Sequence, residues 1–97
     1  MTSKQRAYLR KMSHELDPIF QIGKGGVTPE LTKSVGEALE KRELVKLTIL
    51  KNCIEDVREV AETIAGRTSS EVVMVMGRRF VLYKLSTNDP QIKLPKF

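Results

Sequence analysis

Gln21-Ile22-Gly23-Lys24-Gly25-Gly26-Val27-Thr28-Pro29-Glu30 joins a short apolar strand to a helix start through a glycine loop that carries one lysine. Thr28 can cap the helix with its hydroxyl, Pro29 suits the first helical position because no amide is needed there, and Glu30 complements the positive helix end. Gly23, Gly25 and Gly26 allow positive φ and close approach of a ligand. Amides at the helix start then offer hydrogen bonds to an anion, and Lys24 adds a mobile charge. The segment reads as a strand-to-helix junction suited to a phosphate backbone.

Spacing narrows the reading. A Walker A loop requires serine or threonine after Gly-Lys, but Gly25 stands there. A dinucleotide fingerprint requires a third glycine three places after Gly25, but Thr28 stands there, and no long βαβ repeat with an acidic ribose partner follows. What remains is G-x-x-G, Gly23 to Gly26, a form known from modules whose loop clamps nucleotide backbone. Taken alone it competes with a plain tight connection, since glycine turns are common.

Upstream of the loop, Thr2 and Gln5 have the spacing of a capping box. Tyr8, Leu9, Met12 and Leu16 recur on one side, predicting a helix over 3–15. Pro18 ends it, and Ile19-Phe20-Gln21-Ile22 follows as a strand. Downstream, Leu31, Val35, Ala38 and Leu39 predict a helix over 28–42 packed on a sheet, with Lys41 and Arg42 at its negative end. Leu44–Leu50 alternates Val45, Leu47 and Ile49 against Lys46 and Thr48, the pattern of a half-buried strand. Asn52 with Glu55 signals a further cap, and Val57, Val60, Ala61, Ile64 and Ala65 form a helical stripe ending at Gly66. Glu71–Met76 and Arg79–Lys84 form a hairpin around Gly77-Arg78. The prediction is an α/β single-domain two-layer sandwich, order αβαβαββ, with a four-stranded mixed sheet over residues 1–85. Residues 86–97, with Lys93 and Lys96, read as a basic, mobile extension.

Ninety-seven residues support one core. The N-terminus is polar and no apolar run approaches membrane-spanning length, so a cytoplasmic protein without membrane attachment is expected. Cys53 is the single cysteine and His14 the single histidine, which excludes an internal disulfide and leaves too few ligands for a four-ligand zinc site. Both read as structural, and neither a metal nor a cofactor is expected. Of the net charge of +5, residues 1–33 hold +3, residues 34–66 hold −2 and residues 67–97 hold +4. Basic ends brought together would suit phosphates; a merely solvated surface is the competing reading.

The basic first segment, the strand-Gly23-Lys24-Gly25-Gly26-Val27-Thr28 junction, Glu43-Leu44-Val45-Lys46 and Gly77-Arg78-Arg79-Phe80-Val81-Leu82-Tyr83-Lys84 together resemble stand-alone bacterial members of the CRM family (chloroplast RNA splicing and ribosome maturation), also called the YhbY type. The similarity runs across nearly the whole chain. It implies a fold similar to the C-terminal domain of a bacterial translation initiation factor. It also implies RNA as partner, association with precursors of the large ribosomal subunit, and Gly23, Lys24, Gly25 and Gly26 as the RNA-contacting loop.

The expected function is non-catalytic binding of rRNA by a monomer that assists large-subunit assembly. Lys4, Arg6, Arg10 and Lys11 on the first helix and Arg78, Arg79 and Lys84 around the hairpin are auxiliary contacts to be tested against solvated surface groups. Tyr8, Phe20, Phe80 and Tyr83 could stack on bases, but Phe20 and Phe80 fall in strands and read as core, and without tryptophan a broad stacking surface is not expected. A nucleotide-binding enzyme is the weaker rival, lacking a nucleophile with a plausible histidine partner. A protein-binding adaptor using the acidic middle or the tail is the other.

Overall fold

The computed structural model describes residues 1–87, 90, 92 and 94. The elements are α1 (Ser3–Ser13), β1 (Phe20–Ile22), α2 (Pro29–Arg42), β2 (Leu44–Ile49), α3 (Val57–Thr68), β3 (Glu71–Met76) and β4 (Arg79–Tyr83), the expected αβαβαββ order. The sheet order is β1-β2-β4-β3, with β1 parallel to β2 and β4 antiparallel to both of its neighbours. β2 and β3 therefore point the same way. Helix α3 carries the chain between them across a gap that β4 then fills by a hairpin, so the C-terminal ends of β1, β2 and β3 open at one end of the sheet.

The stripes expected for α2 and α3 pack on one face, where Val35, Leu39, Val60, Ala61 and Ile64 meet Ile22, Val45, Leu47, Ile49, Phe80 and Leu82. Cys53 is buried in the same cluster. Helix α1 does not join that layer. Its Leu9 packs on the opposite face with Leu44, Val73, Val81 and Tyr83, so the two expected layers gain a partial third. Lys46 explains how β2 tolerates this. The strand is buried on both faces rather than half-buried, and the Lys46 ammonium donates to the carbonyl oxygens of Ser13 (3.4 Å) and Leu16 (3.2 Å) just past α1. The Ser13 carbonyl, at the end of α1, also accepts the Leu16 amide, the Leu16 carbonyl lies in the turn beyond, and the apolar stem of the lysine fills the space below them.

Local signals held at most boundaries. Thr2 and Gln5 form the reciprocal capping box, and Thr28 caps α2 with Pro29 at its start. Helix α1 stops at Ser13, short of residue 15, because the amides of Glu15 and Leu16 bond three residues back in tighter turns. The cap of α3 is Asp56, which accepts the Glu59 amide at 3.2 Å, and not Asn52. The helix continues through Gly66 to Thr68 and closes at left-handed Ser69.

At the far end of the sheet, Glu43 is fully buried with φ 63°, and its carboxylate accepts the amides of Ser86 (2.8 Å) and Ile92 (2.7 Å). Glu40 accepts the amide and hydroxyl of Thr87. Ile92 and Leu94 pack on the α1-side cluster. Residues 88, 89, 91, 93 and 95–97 of the expected mobile extension, including Lys93 and Lys96, lie outside the described residues. Burial, and then the Glu43 and Glu71 carboxylates, raise the Tyr83 phenol above its ordinary pKa.

Lys46→Met keeps the stem but removes the donor. It should cost about 1–3 kcal/mol, the penalty for a buried polar group left unpaired. Urea unfolding reads the loss, and an unchanged midpoint would show that the α1 carbonyls do not need the ammonium.

Candidate nucleic-acid interface

Strand β1 ends where the Ile22 carbonyl accepts the Leu50 amide (2.8 Å), so the chain enters the glycine loop beside the end of β2. The Gly26 amide donates to the Gly23 carbonyl (3.0 Å), closing a β-turn with Lys24 and Gly25 at its exposed centre. Of the three glycines that allow positive φ, only Gly26 (64°) uses it, and Gly23 and Gly25 do not. A Cβ on Gly26 would lie 2.8 Å from Glu55 Oε2, and one on Gly23 would lie 3.4 Å from Asn52 Oδ1. At Gly25 the nearest atom is Thr28 Cγ2, 4.0 Å away. Gly26 makes the turn, Gly23 admits the neighbouring loop, and Gly25 leaves the tip open.

The helix end contributes less than expected. Pro29 has no amide, and the Leu31 amide donates to Thr28 Oγ1 at 3.1 Å. The exposed turn and the Lys24 ammonium are therefore the main anion-facing groups. Among the described residues no hydrogen bond or ion pair engages Lys24.

Arg78 fastens this turn to its neighbours. Its Nε donates to the Ile49 carbonyl (2.9 Å) and its Nη2 to the carbonyls of Leu50 and Cys53, while the Ile49 amide donates back to the Arg78 carbonyl (2.7 Å). Gly77, at φ 61°, supplies the hairpin bend. The guanidinium thus holds the β3–β4 turn against loop 50–56, which in turn lies against Gly23. Its role in this geometry is to order the rim.

Arg79 stands one residue further along, exposed, in a cross-strand row Gln21, Thr48, Arg79, Met76. Strand alternation puts this row on the α1 face, beyond the end of α1. Of the α1 candidates, Arg6 is tied to the carbonyls of Val72 and Val73 on edge strand β3, and Arg10 shares a cleft with His14, Met74 and Met76. Lys4 and Lys11 do not line that cleft. Lys84 lies at the opposite end of the sheet, where its amide donates to the Glu43 carbonyl. Lys51, which the sequence reading passed over, joins the loop end directly after β2. Its signal was position: side chains just past the C-terminal ends of parallel strands line the crevice where ligands bind in α/β sheets.

Acidic groups gather on the α3 side. Glu55, whose carboxylate lies against Gly26, and Glu59 line a cleft there with Val27, Val60, Thr63 and Arg67. The loop end therefore has a cationic α1 side and an acidic α3 side. Among the described residues no cluster of His, Cys, Asp or Glu could hold a metal ion, and no helix is long and apolar enough to cross a membrane.

A family model described as the CRS1 / YhbY (CRM) domain matches residues 1–84. The chain belongs to the CRM domain family. It is 47% identical to "Probable RNA-binding protein YqeI" of Bacillus subtilis, covering 98% of this chain and 99% of that one. It is 27% identical to a Haemophilus influenzae "RNA-binding protein", covering 99% and 96%. The solution structure of the Staphylococcus aureus protein SAV1595 superposes on this CRM domain with a TM-score of 0.81 at 45% identity, covering 98% of this chain and 99% of that one.

The turn geometry separates two glycines of this CRM domain. Gly26→Ala should destabilise by about 1–2 kcal/mol through left-handed strain alone, whereas Gly25→Ala should leave the thermal midpoint nearly unchanged. Equal melting of the two variants would contradict the distinct turn roles.

Proposed function

We propose that this CRM protein is a non-catalytic RNA-binding module that docks the Gly23–Gly26 turn on folded rRNA and assists assembly of the large ribosomal subunit in the cytoplasm. The observation that carries the RNA part is the exposed turn itself. It presents an unengaged Lys24 and an open Gly25 on a rim shared with Lys51 and Arg79, in a family whose relatives are named for RNA binding. The turn lets phosphate approach the backbone closely, and the cations replace condensed counterions as it docks. Selectivity then comes from the shape of the folded RNA. The ribosomal part rests on the association of bacterial members of this family with large-subunit precursors.

Lys24→Asp with Gly25→Asp tests the docking. Gly25 has neither positive φ nor a crowded Cβ position, so the double variant should melt close to the parent. Its RNA affinity should fall by at least about tenfold, because two anions replace a cation and a neutral residue facing phosphates. Parental binding should follow salt with a log-log slope of roughly −2 to −4 for about three to five phosphate contacts. A folded double variant that binds RNA as tightly as the parent would move the principal site away from the turn.

The assembly role has its own measurement. In a sucrose gradient of cell lysate the protein should co-sediment with large-subunit precursors more than with mature ribosomes. Recovery confined to ribosome-free fractions would remove that role while leaving RNA binding in place.

A further inference from the structure

The geometry points to a second contact beyond the glycine turn: an open cleft between the end of β2 and the β3–β4 turn that takes one unpaired nucleotide, its base against Leu50 and Met76 and its phosphate on Lys51 and Arg79. This rests on the RNA-binding reading and extends it from a backbone clamp to a place for single-stranded RNA.

The cleft is about 450 Å³, within the range of small-ligand clefts, and Thr48, Leu50, Lys51, Met76, Arg78 and Arg79 line it. Leu50 is 38% exposed and Met76 is 51% exposed, and what sets them apart is that they line one cleft together. Both side chains face the same opening, where a flat base could cover them. Thr48 is next to Arg79 in the cross-strand row; its hydroxyl donates to the Arg78 carbonyl (3.4 Å), and its oxygen can accept from a base edge. Among the described residues no carboxylate lines the cleft, in contrast to the acidic cleft of Glu55 and Glu59 on the α3 side. Charge therefore selects an anionic occupant, and the two apolar side chains select one that also carries a flat apolar surface. A nucleotide has both.

Continuity with the glycine turn supplies the path. Leu50 Cδ1 is 3.7 Å from the position of a Cβ on Gly23, so the cleft begins where the clamp ends. On its other side Met76 is shared with the cleft lined by Arg6, Arg10 and His14, which also lacks a carboxylate among the described residues. A strand held at Lys24 can thus continue over Met76 toward α1 without crossing negative charge. Arg78 does not compete for the phosphate, since its guanidinium is bonded to the carbonyls that form the cleft wall.

The test compares two labelled RNA probes, a blunt stem-loop and the same stem-loop flanked on both sides by unpaired random pentanucleotides. The parent should bind the flanked probe about tenfold more tightly, the scale of one base contact with its phosphate. Arg79→Ala and Met76→Ser should each erase most of that preference while melting like the parent, since both side chains are exposed. Arg79→Ala should also make the salt slope shallower by about 0.7–0.9, the share of one phosphate, whereas Met76→Ser should leave the slope unchanged. Equal binding of the two probes by the parent, or a preference that survives both substitutions, would overturn the cleft and leave RNA binding intact. Failure of the parent to bind either probe would instead remove the RNA-binding reading and the cleft with it.

Discussion

Strand β2 pairs with β1 in parallel and with β4 in antiparallel register while both of its faces are covered. Its inward residues Val45, Leu47 and Ile49 fix it to the α2–α3 layer, and a slip of one residue would turn that set toward α1. The register also places Gln21, Thr48 and Arg79 in one row and makes Leu50 the immediate neighbour of the glycine turn. The geometry of the loop end is therefore a consequence of how β2 is buried. Lys46 is the conspicuous cost of that arrangement, a cation in the α1-side layer whose ammonium is matched by the helix-end carbonyls.

Arg78 and Arg79 show why neighbouring cations with similar local sequence context have different roles. Alternation along β4 and the turn before it send the Arg78 guanidinium back onto the carbonyls of 49, 50 and 53, while Arg79 projects from the strand into the cleft. Loop carbonyls that would otherwise rely on solvent are held by a charged donor, and such bonds are stronger than neutral ones. A loop fixed in this way presents Leu50 and Lys51 at defined positions, which a mobile loop could not do without losing ordering entropy on binding. One arginine thus orders the rim, and the other lines the cleft beside it.

Much of the fold was legible because the local signals agreed with the tertiary outcome. The capping box at Thr2 and Gln5, the Thr28–Pro29 helix start and the Gly77 bend all appear as read. The departures have a shared cause in long-range packing. Asn52 has the spacing of a cap, but the loop places its amide beside Gly23, and Asp56 caps α3 instead. Lys46 looks like a solvent-facing residue in a half-buried strand, and only the placement of α1 across that face makes it buried. Residue type also could not tell Gly26 from Gly25, because the difference lies in φ and in the approach of Glu55. In the candidate site, the glycines and Lys24 could be read from spacing. Lys51 had only the positional signal of following β2, and its meeting with Leu50 and Met76 could not be read, since it happens only when three connections converge at one end of the sheet.

The two ends of that sheet divide the work of the domain. At the end away from the turn, Glu43 and Glu40 bind backbone and hydroxyl donors of the C-terminal segment, so negative charge there is matched by hydrogen bonds within the chain. At the turn, Lys24, Lys51 and Arg79 have no such internal match among the described residues. Cations held close together repel one another, and that repulsion is relieved when a polyanion arrives. The same positive field is screened by salt within about 8 Å at physiological ionic strength. Only a ligand brought into direct contact with the rim gains the full attraction, which favours a close-fitting phosphate backbone over distant steering. The acidic α3 side, bearing Glu55 and Glu59, then limits the faces from which such a ligand can approach. Under the proposed docking, orientation on the RNA would follow from this asymmetry of charge as much as from the shape of the glycine turn.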